Sequence, residues 1–231
     1  MLRVGLTGGL GSGKSTVAQF LRELGAEVAE SDELGRALME PGQRCFTEIV
    51  RLFGPEVVGG DGRLNRTRLA ELAFRDGRVQ ELNAIVHPAV IEMQRRWANE
   101  VFARDPAAVA VVVSALIFEV ERDARARGEK DNILADWRRR MDRVVVVTAP
   151  DDLKIARYVK RGGTSADGRA TAEADARARL AHQIPDALKA ARADYVLENA
   201  GDIHALQLQV KDLWGRLKAE SNKLLEDGSL K

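Results

Sequence analysis

The chain reads as an α/β protein, a parallel five-stranded sheet with helices on both faces, and three observations predict this. Short apolar runs alternate with longer amphipathic segments along the 231 residues, the pattern of parallel strands joined by helical crossovers. The first run, Leu2 to Leu6, leads directly into Gly8-Gly9-Leu10-Gly11-Ser12-Gly13-Lys14-Ser15, a complete G-x-x-x-x-G-K-S loop between strand and helix patterns. The hydrophobic content, 45%, is enough for one sizeable core in a chain of this length.

The loop is the strongest local signal. Glycines let the backbone fold back with its N–H groups pointing inward, and Lys14 opens a helix whose N-terminus favours anions. Gly8, Gly9, Leu10, Gly11, Ser12, Gly13, Lys14, Ser15 and the next residue, Thr16, are therefore the candidate nucleotide-binding residues. Lys14 is expected to reach the β- and γ-phosphates of a nucleotide, and the Ser15 hydroxyl to ligate the accompanying Mg. Gly9 and Gly11, at variable positions of the motif, add little specificity to this reading.

Five strands are expected in order: Leu2 to Leu6, Glu27 to Ala29, Val109 to Val113, Val144 to Val147 and Tyr195 to Leu197. About eighty residues separate the second from the third, and their spacing is helical: Phe46, Ile49, Val50 and Phe53, then Leu69, Leu72 and Ala73, then Ile85, Val90, Ile91 and Trp97. Asp61-Gly62 marks a turn there, and His87-Pro88 a helix boundary, since the residue before proline avoids the helical region. After Val147 a helix from Pro150 is broken by residues 162–168, a flexible tip, and a second helix runs from about Thr171 to Ile184. A last helix from Asp202 is expected to fray after Lys218. The core comprises about 1–40, 105–150 and 190–218 of a single chain, 1–231. A helical insertion occupies about 41–104 and a lid about 151–186.

Charge and apolar content narrow the classes. A net charge of +1 offers no general attraction to nucleic acid or membrane. The longest strongly apolar stretch, Ala107 to Val113, is far too short to span a bilayer. Met1-Leu2-Arg3 enters strand at once without a signal peptide, so a cytoplasmic location is expected. Cys45 stands alone, which excludes an internal disulfide or a cysteine-based zinc cluster, and reads as a helix-packing residue. His182 and His204 have no second ligand at a recognisable spacing, leaving Mg carried with the nucleotide as the expected metal. Trp97, Trp137 and Trp214 read as packing residues, and Arg138, Arg139 and Arg140 as a solvated surface.

A phosphate loop alone does not separate a kinase from a switch GTPase, a motor or a nucleic-acid ATPase. A GTPase reading would use Asp32-Glu33-Leu34-Gly35 as a D-x-x-G switch, but the only N-K pair, Asn222-Lys223-Leu224-Leu225, lacks the aspartate that reads guanine. The small size and the lid favour a phosphotransferase that closes over a small acceptor and excludes water. Another small-molecule kinase on the same fold, and a nucleotide-dependent regulatory protein, are the alternative classes.

Four blocks carry a resemblance: residues 7–16, Glu30-Ser31-Asp32, Leu82-Asn83-Ala84-Ile85-Val86-His87-Pro88, and Ala193-Asp194-Tyr195-Val196-Leu197-Glu198-Asn199. In order and spacing they resemble the dephospho-CoA kinase family. The resemblance implies a P-loop, nucleoside-monophosphate-kinase-like fold with a helical acceptor-binding insertion. It also implies transfer of the γ-phosphate of ATP to the ribose 3′-hydroxyl of dephospho-CoA, the last step of coenzyme A biosynthesis; a monomer or weak homo-oligomer is expected. Departures are Glu30 in place of the first acid of an Asp-x-Asp pair, Ala115-Leu116-Ile117-Phe118-Glu119 without the family's leading proline, and a longer stretch from Glu121 to Met141, read as a peripheral helical elaboration.

Asp32 inherits the catalytic role. A carboxylate at the carboxyl end of a parallel strand beside the phosphate loop faces the acceptor hydroxyl, where it orients that group and accepts its proton late. Asp32 is also a second candidate for Mg, through water, and its competing role is the cap of a helix starting near Glu33. Arg157 and Arg161, ahead of Arg177 or Arg179, are the candidates for neutralising the transferred phosphoryl, a role typically worth about 10³–10⁵ in rate. Asn199 is placed with the nucleotide and His87 with the acceptor, both by resemblance.

Overall fold

The computed structural model describes residues 1–75, 77–162 and 166–228, and the middle of the expected flexible tip, residues 163–165, lies outside them. The described residues form one five-stranded, all-parallel sheet: β1 (Leu2–Gly8), β2 (Glu27–Glu30), β3 (Val109–Val113), β4 (Arg143–Thr148) and β5 (Tyr195–Glu198), in the order β2-β3-β1-β4-β5. β1 lies between β3 and β4, with Leu2 beside Val109, and Val4 beside Val111 on one side and Arg143 on the other. Each expected strand is present, lengthened by at most two residues at an end. They were visible as apolar runs because β1, β3 and β4 are buried almost throughout.

The chain divides into two compact units, residues 1–29 with 98–231, and residues 30–97. In the first, α1 (Lys14–Glu23) and α10 (Ile203–Glu226) cover one face of the sheet. Val17, Leu21, Leu206, Val210 and Leu213 interlock there with Leu2, Val4, Leu6, Val111 and Val145. On the other face α6 (Ile117–Ala126) approaches β1 so closely that a Cβ on Gly5 would lie 2.7 Å from Ile117 Cδ1.

Three expectations about this unit are corrected. α10 continues past Lys218 to Glu226, because Ser221 is fully buried and its hydroxyl donates to Ala107 O at 3.0 Å, fastening the last turns at the entry to β3. The stretch Glu121 to Met141 is not a peripheral helical elaboration. It finishes α6 and continues in two short 3-10 turns, and it buries Leu134, Ala135, Trp137 and Met141. Arg140 is likewise not solvated: it is buried, donates to Ile117 O at 3.2 Å, and burial pushes its pKa down to about 10 against the pull of Glu121 and Asp136. Arg138 and Arg139 are exposed, and Arg138 stacks 4.3 Å from the Trp137 ring centroid.

The second unit contains α2 (Ser31–Leu38), α3 (Arg44–Phe53), α4 (Arg66–Arg75) and most of α5 (Val79–Arg104). Ile49, Phe53, Val57, Leu69, Leu72 and Ala73 form its core. Asp61-Gly62 makes the expected turn, with Gly62 at φ 76°, inside a Val58–Leu64 antiparallel bridge. Cys45 is buried, and desolvation raises its thiol pKa. His87-Pro88 is not a helix boundary. α5 runs through Pro88 and forfeits one backbone hydrogen bond, because Ile85 and Val86 before it pack on the core and Val90 and Ile91 after it are buried.

After β4, α7 (Asp151–Gly162) and α8 (Ala166–His182) form an antiparallel pair, and α9 (Asp186–Ala190) returns to β5. α8 begins earlier than the expected Thr171. The Tyr158 hydroxyl of α7 donates to Asp175 of α8, which raises the tyrosine pKa and lowers that of the carboxyl, while Arg179 pairs with Asp175 at 2.9 Å.

Candidate active site

The site starts at the end of β1. Gly13 closes the loop in the left-handed region, φ 99° and ψ 19°, and α1 begins at Lys14 with no side-chain cap and no acid in its first turn. The helix therefore keeps its orphan N–H donors and its positive end for an anion. A Cβ on Gly13 would lie 2.1 Å from Asn199 Nδ2, so only glycine fits. Asn199, just past β5, donates Nδ2 to Ser12 O at 2.8 Å and accepts Arg157 Nη2 on Oδ1 at 3.1 Å. The other terminal nitrogen, Arg157 Nη1, is buried without an acceptor. The Lys14 ammonium donates to Gly8 O and Gly9 O, both at 2.8 Å.

A cavity of about 380 Å³ opens above the loop, lined by Lys14, Ser15, Arg157, Lys160, Arg161 and Asn199 among others. Four cations and, among the described residues, no carboxylate line it, which concentrates positive potential where a polyphosphate is negative. An uncapped helix N-terminus, an orphaned guanidinium nitrogen and this charge pattern fit a nucleotide phosphate chain. Ser15 supplies the hydroxyl oxygen suited to a hard divalent cation bound with it. Among the described residues no cluster of three or more His, Cys, Asp or Glu could hold a metal independently.

Three polar residues that sequence reasoning missed hold the loop from behind. Gly9 N donates to Asp186 Oδ1 at 3.2 Å and Leu10 N to Gln183 Oε1 at 3.0 Å, while Asp186 is ion-paired with Lys154 of α7. Lys154 is 2% exposed and also reaches Asp151 Oδ1 at 3.0 Å. Its carbonyl closes on the loop: a Cβ on Gly11, at φ 72°, would lie 2.3 Å from Lys154 O. Gly11 is thus a required glycine. Nothing local in the sequence announces these contacts, since the hydrogen-bonded partners are more than 170 residues apart.

Arg161 is exposed on α7 and donates Nε to Arg157 O at 3.3 Å. Arg177 and Arg179 are exposed on α8 and paired with Glu173 and Asp175 one turn away, and neither is among the residues lining the cavity above the phosphate loop. Asp32 and His87 belong to the second unit. Asp32 is exposed in the first turn of α2, which begins at Ser31 with no side-chain cap, so it is not the helix cap. Ser31 is fixed by Gln94 Nε2 at 2.9 Å. His87 is half-buried on α5.

A parallel sheet with a phosphate loop at the head of its central strand, and cations from a following helical hairpin facing that loop, defines a P-loop kinase-like α/β protein. The dephospho-CoA kinase family model matches residues 2–129 and 132–205, and the chain belongs to that family. It is 37% identical over 218 residues to a dephospho-CoA kinase of Syntrophotalea carbinolica, covering 94% of this chain and 92% of that one. It is 42% identical over 205 residues to one of Anaeromyxobacter dehalogenans, covering 88% and 86%. Among solved structures it resembles TT1252 from Thermus thermophilus, with a TM-score of 0.70, 33% identity and coverage of 94% and 97%. It shares its fold with dephospho-CoA kinase from Campylobacter jejuni at a TM-score of 0.64, 17% identity and coverage of 94% and 98%. No helix among the described residues is long and apolar enough to cross a membrane.

Proposed function

We propose that this protein transfers the γ-phosphate of ATP to the ribose 3′-hydroxyl of dephospho-CoA, completing coenzyme A, in the cytoplasm and as a monomer or weak homo-oligomer. The observation that carries the reading is an intact, cation-lined phosphate loop in a chain matched by the family model over nearly all its length. Residues 8–16 hold the phosphates: backbone N–H groups and the α1 N-terminus cradle the chain, and Lys14 turns from the loop carbonyls to the β- and γ-oxygens. Asn199 keeps the loop in register and orients Arg157, whose unpaired Nη1 meets the transferring phosphoryl, with Arg161 completing the charge on closure of the α7–α8 lid. Ser15, through its hydroxyl, and Asp32, through water, would hold the Mg that accompanies ATP, which would supply charge neutralisation at the phosphates. Asp32 orients the acceptor hydroxyl and takes its proton, and the helical segment around His87 contributes to acceptor binding.

The test separates binding from transfer in the wild type and Asp32→Asn. The wild type should release ADP only when dephospho-CoA is present. The variant should bind ATP within about twofold of wild type and lose about 10²–10⁴ in turnover, the usual worth of a positioned base. ADP release by the wild type independent of acceptor would overturn the function, and near-normal turnover in the variant would remove Asp32 from its role.

A further inference from the structure

The back of the phosphate loop contains an arrangement that nucleotide binding alone does not require. A carboxylate, Asp186, accepts the N–H of Gly9 at 3.2 Å, next to a loop expected to receive the most negative part of its substrate. An anion there repels phosphate unless its charge is cancelled. Lys154 supplies the cancelling charge: its ammonium is ion-paired with Asp186, is 2% exposed, and stands so near the loop that a Cβ on Gly9 would meet it at 3.2 Å. The neutral amide of Gln183 performs the same task at Leu10 without needing a counter-charge. The next residue, Ile184, donates its N–H to Glu119 Oε1 at 2.9 Å, so the joint between α8 and α9 is anchored on both sides.

We propose that Lys154, Gln183 and Asp186 are positioning residues forming a charge-neutralised clamp on the first half of the phosphate loop. Gln183 and Asp186 take up the Leu10 and Gly9 N–H groups and fix the loop's outer edge. Lys154 makes the carboxylate electrically silent towards nucleotide and ties the base of α7 to the loop. Arg157 lies one helical turn beyond Lys154 on α7, so the pair also sets where that guanidinium stands. This inference rests on the nucleotide site proposed above and adds a requirement to it: the charge on Lys154 matters only while Asp186 is charged.

The experiment is ATP binding by calorimetry, without acceptor, on the full chain carrying Lys154→Met, Asp186→Asn, the two together, and Lys154→Arg. Lys154→Met exposes the loop to an uncompensated carboxylate and should weaken ATP about tenfold or more. The double variant removes that charge, keeps an amide oxygen for Gly9 N–H, and should return to within about threefold of wild type, as should Lys154→Arg. A buried pair with only a structural role predicts the opposite pattern, with the double variant no better than Lys154→Met. Wild-type affinity in Lys154→Met, or failure of Asp186→Asn to rescue it, overturns the clamp. If Lys154→Met does not fold, Asp186→Asn alone decides: affinity within about threefold of wild type supports neutralisation, and a tenfold loss refutes it. Dephospho-CoA turnover by the wild type is read separately, so loss of the proposed function with intact ATP binding leaves the clamp standing, and wild-type turnover with variant affinities contrary to this pattern condemns the clamp alone.

Discussion

Gly11→Ala tests the contact between loop and α7 with a built-in control. At Gly11 the backbone has φ 72° and a new Cβ would lie 2.3 Å from Lys154 O and 2.9 Å from its Cα and carbonyl carbon. At Gly62 φ is 76° and nothing lies within 4 Å. Alanine at either position incurs the left-handed penalty, roughly 1–2 kcal/mol. Only Gly11→Ala must also drive backbone from backbone by about 1 Å, an overpacking cost of about 1–3 kcal/mol. The expected loss of stability is thus about 2–5 kcal/mol at Gly11 against about 1–2 at Gly62. Because α7 carries Arg157, the same displacement should weaken ATP binding, and misplacement of a catalytic group by about 1 Å can cost up to 10²-fold in rate. Urea denaturation gives the stability difference and ATP titration the functional one. Equal stability of the two variants together with ATP affinity within about twofold of wild type in Gly11→Ala would refute the close approach.

Two further outcomes follow from the same geometry. Asn199→Asp replaces the donor to Ser12 O with a second carboxylate oxygen and adds a negative charge to a cavity of cations, so ATP affinity should fall about tenfold or more; unchanged affinity would show that Asn199 does not hold the loop. The Tyr158–Asp175 bond ties α7 to α8 and has a defined pH window. The carboxyl pKa is lowered, so its contribution is present above the unfolded value near 3.8 and is lost as pH falls through the folded value. The tyrosine pKa is raised, so its contribution is present below the unfolded value near 10 and is lost as pH rises through the folded one. Stability followed against pH should lose the alkaline limb and part of the acid limb in Tyr158→Phe, Arg179 keeping the rest of the acid limb, and identical profiles would deny the bond any role in solution.

The sequence announced what local patterning encodes. β1, β3 and β4 were legible because strands buried on both faces must be apolar over their whole length. The phosphate loop was legible because its chemistry lies in consecutive residues. Pro88 was misread because the rule against helix before proline is a local cost of about 3 kcal/mol, which packing of Ile85, Val86, Val90 and Ile91 offsets. Arg140 looked solvated in a run of three arginines, yet only tertiary structure turns one of them beneath α6. The Lys154, Gln183 and Asp186 contacts were hidden for the same reason. Each is an ordinary polar residue on a helix or at its end, and only the fold brings it to Gly9 and Leu10.

The most direct measurement is a one-pot competition in which the purified protein receives ATP, Mg and equal amounts of dephospho-CoA, AMP, GMP and shikimate, with products followed by mass spectrometry. The account predicts one phosphorylated product, dephospho-CoA carrying an additional phosphoryl on its ribose 3′-hydroxyl, formed in step with ADP. A phosphoryl group on any other acceptor, or ADP without a phosphorylated acceptor, would contradict it.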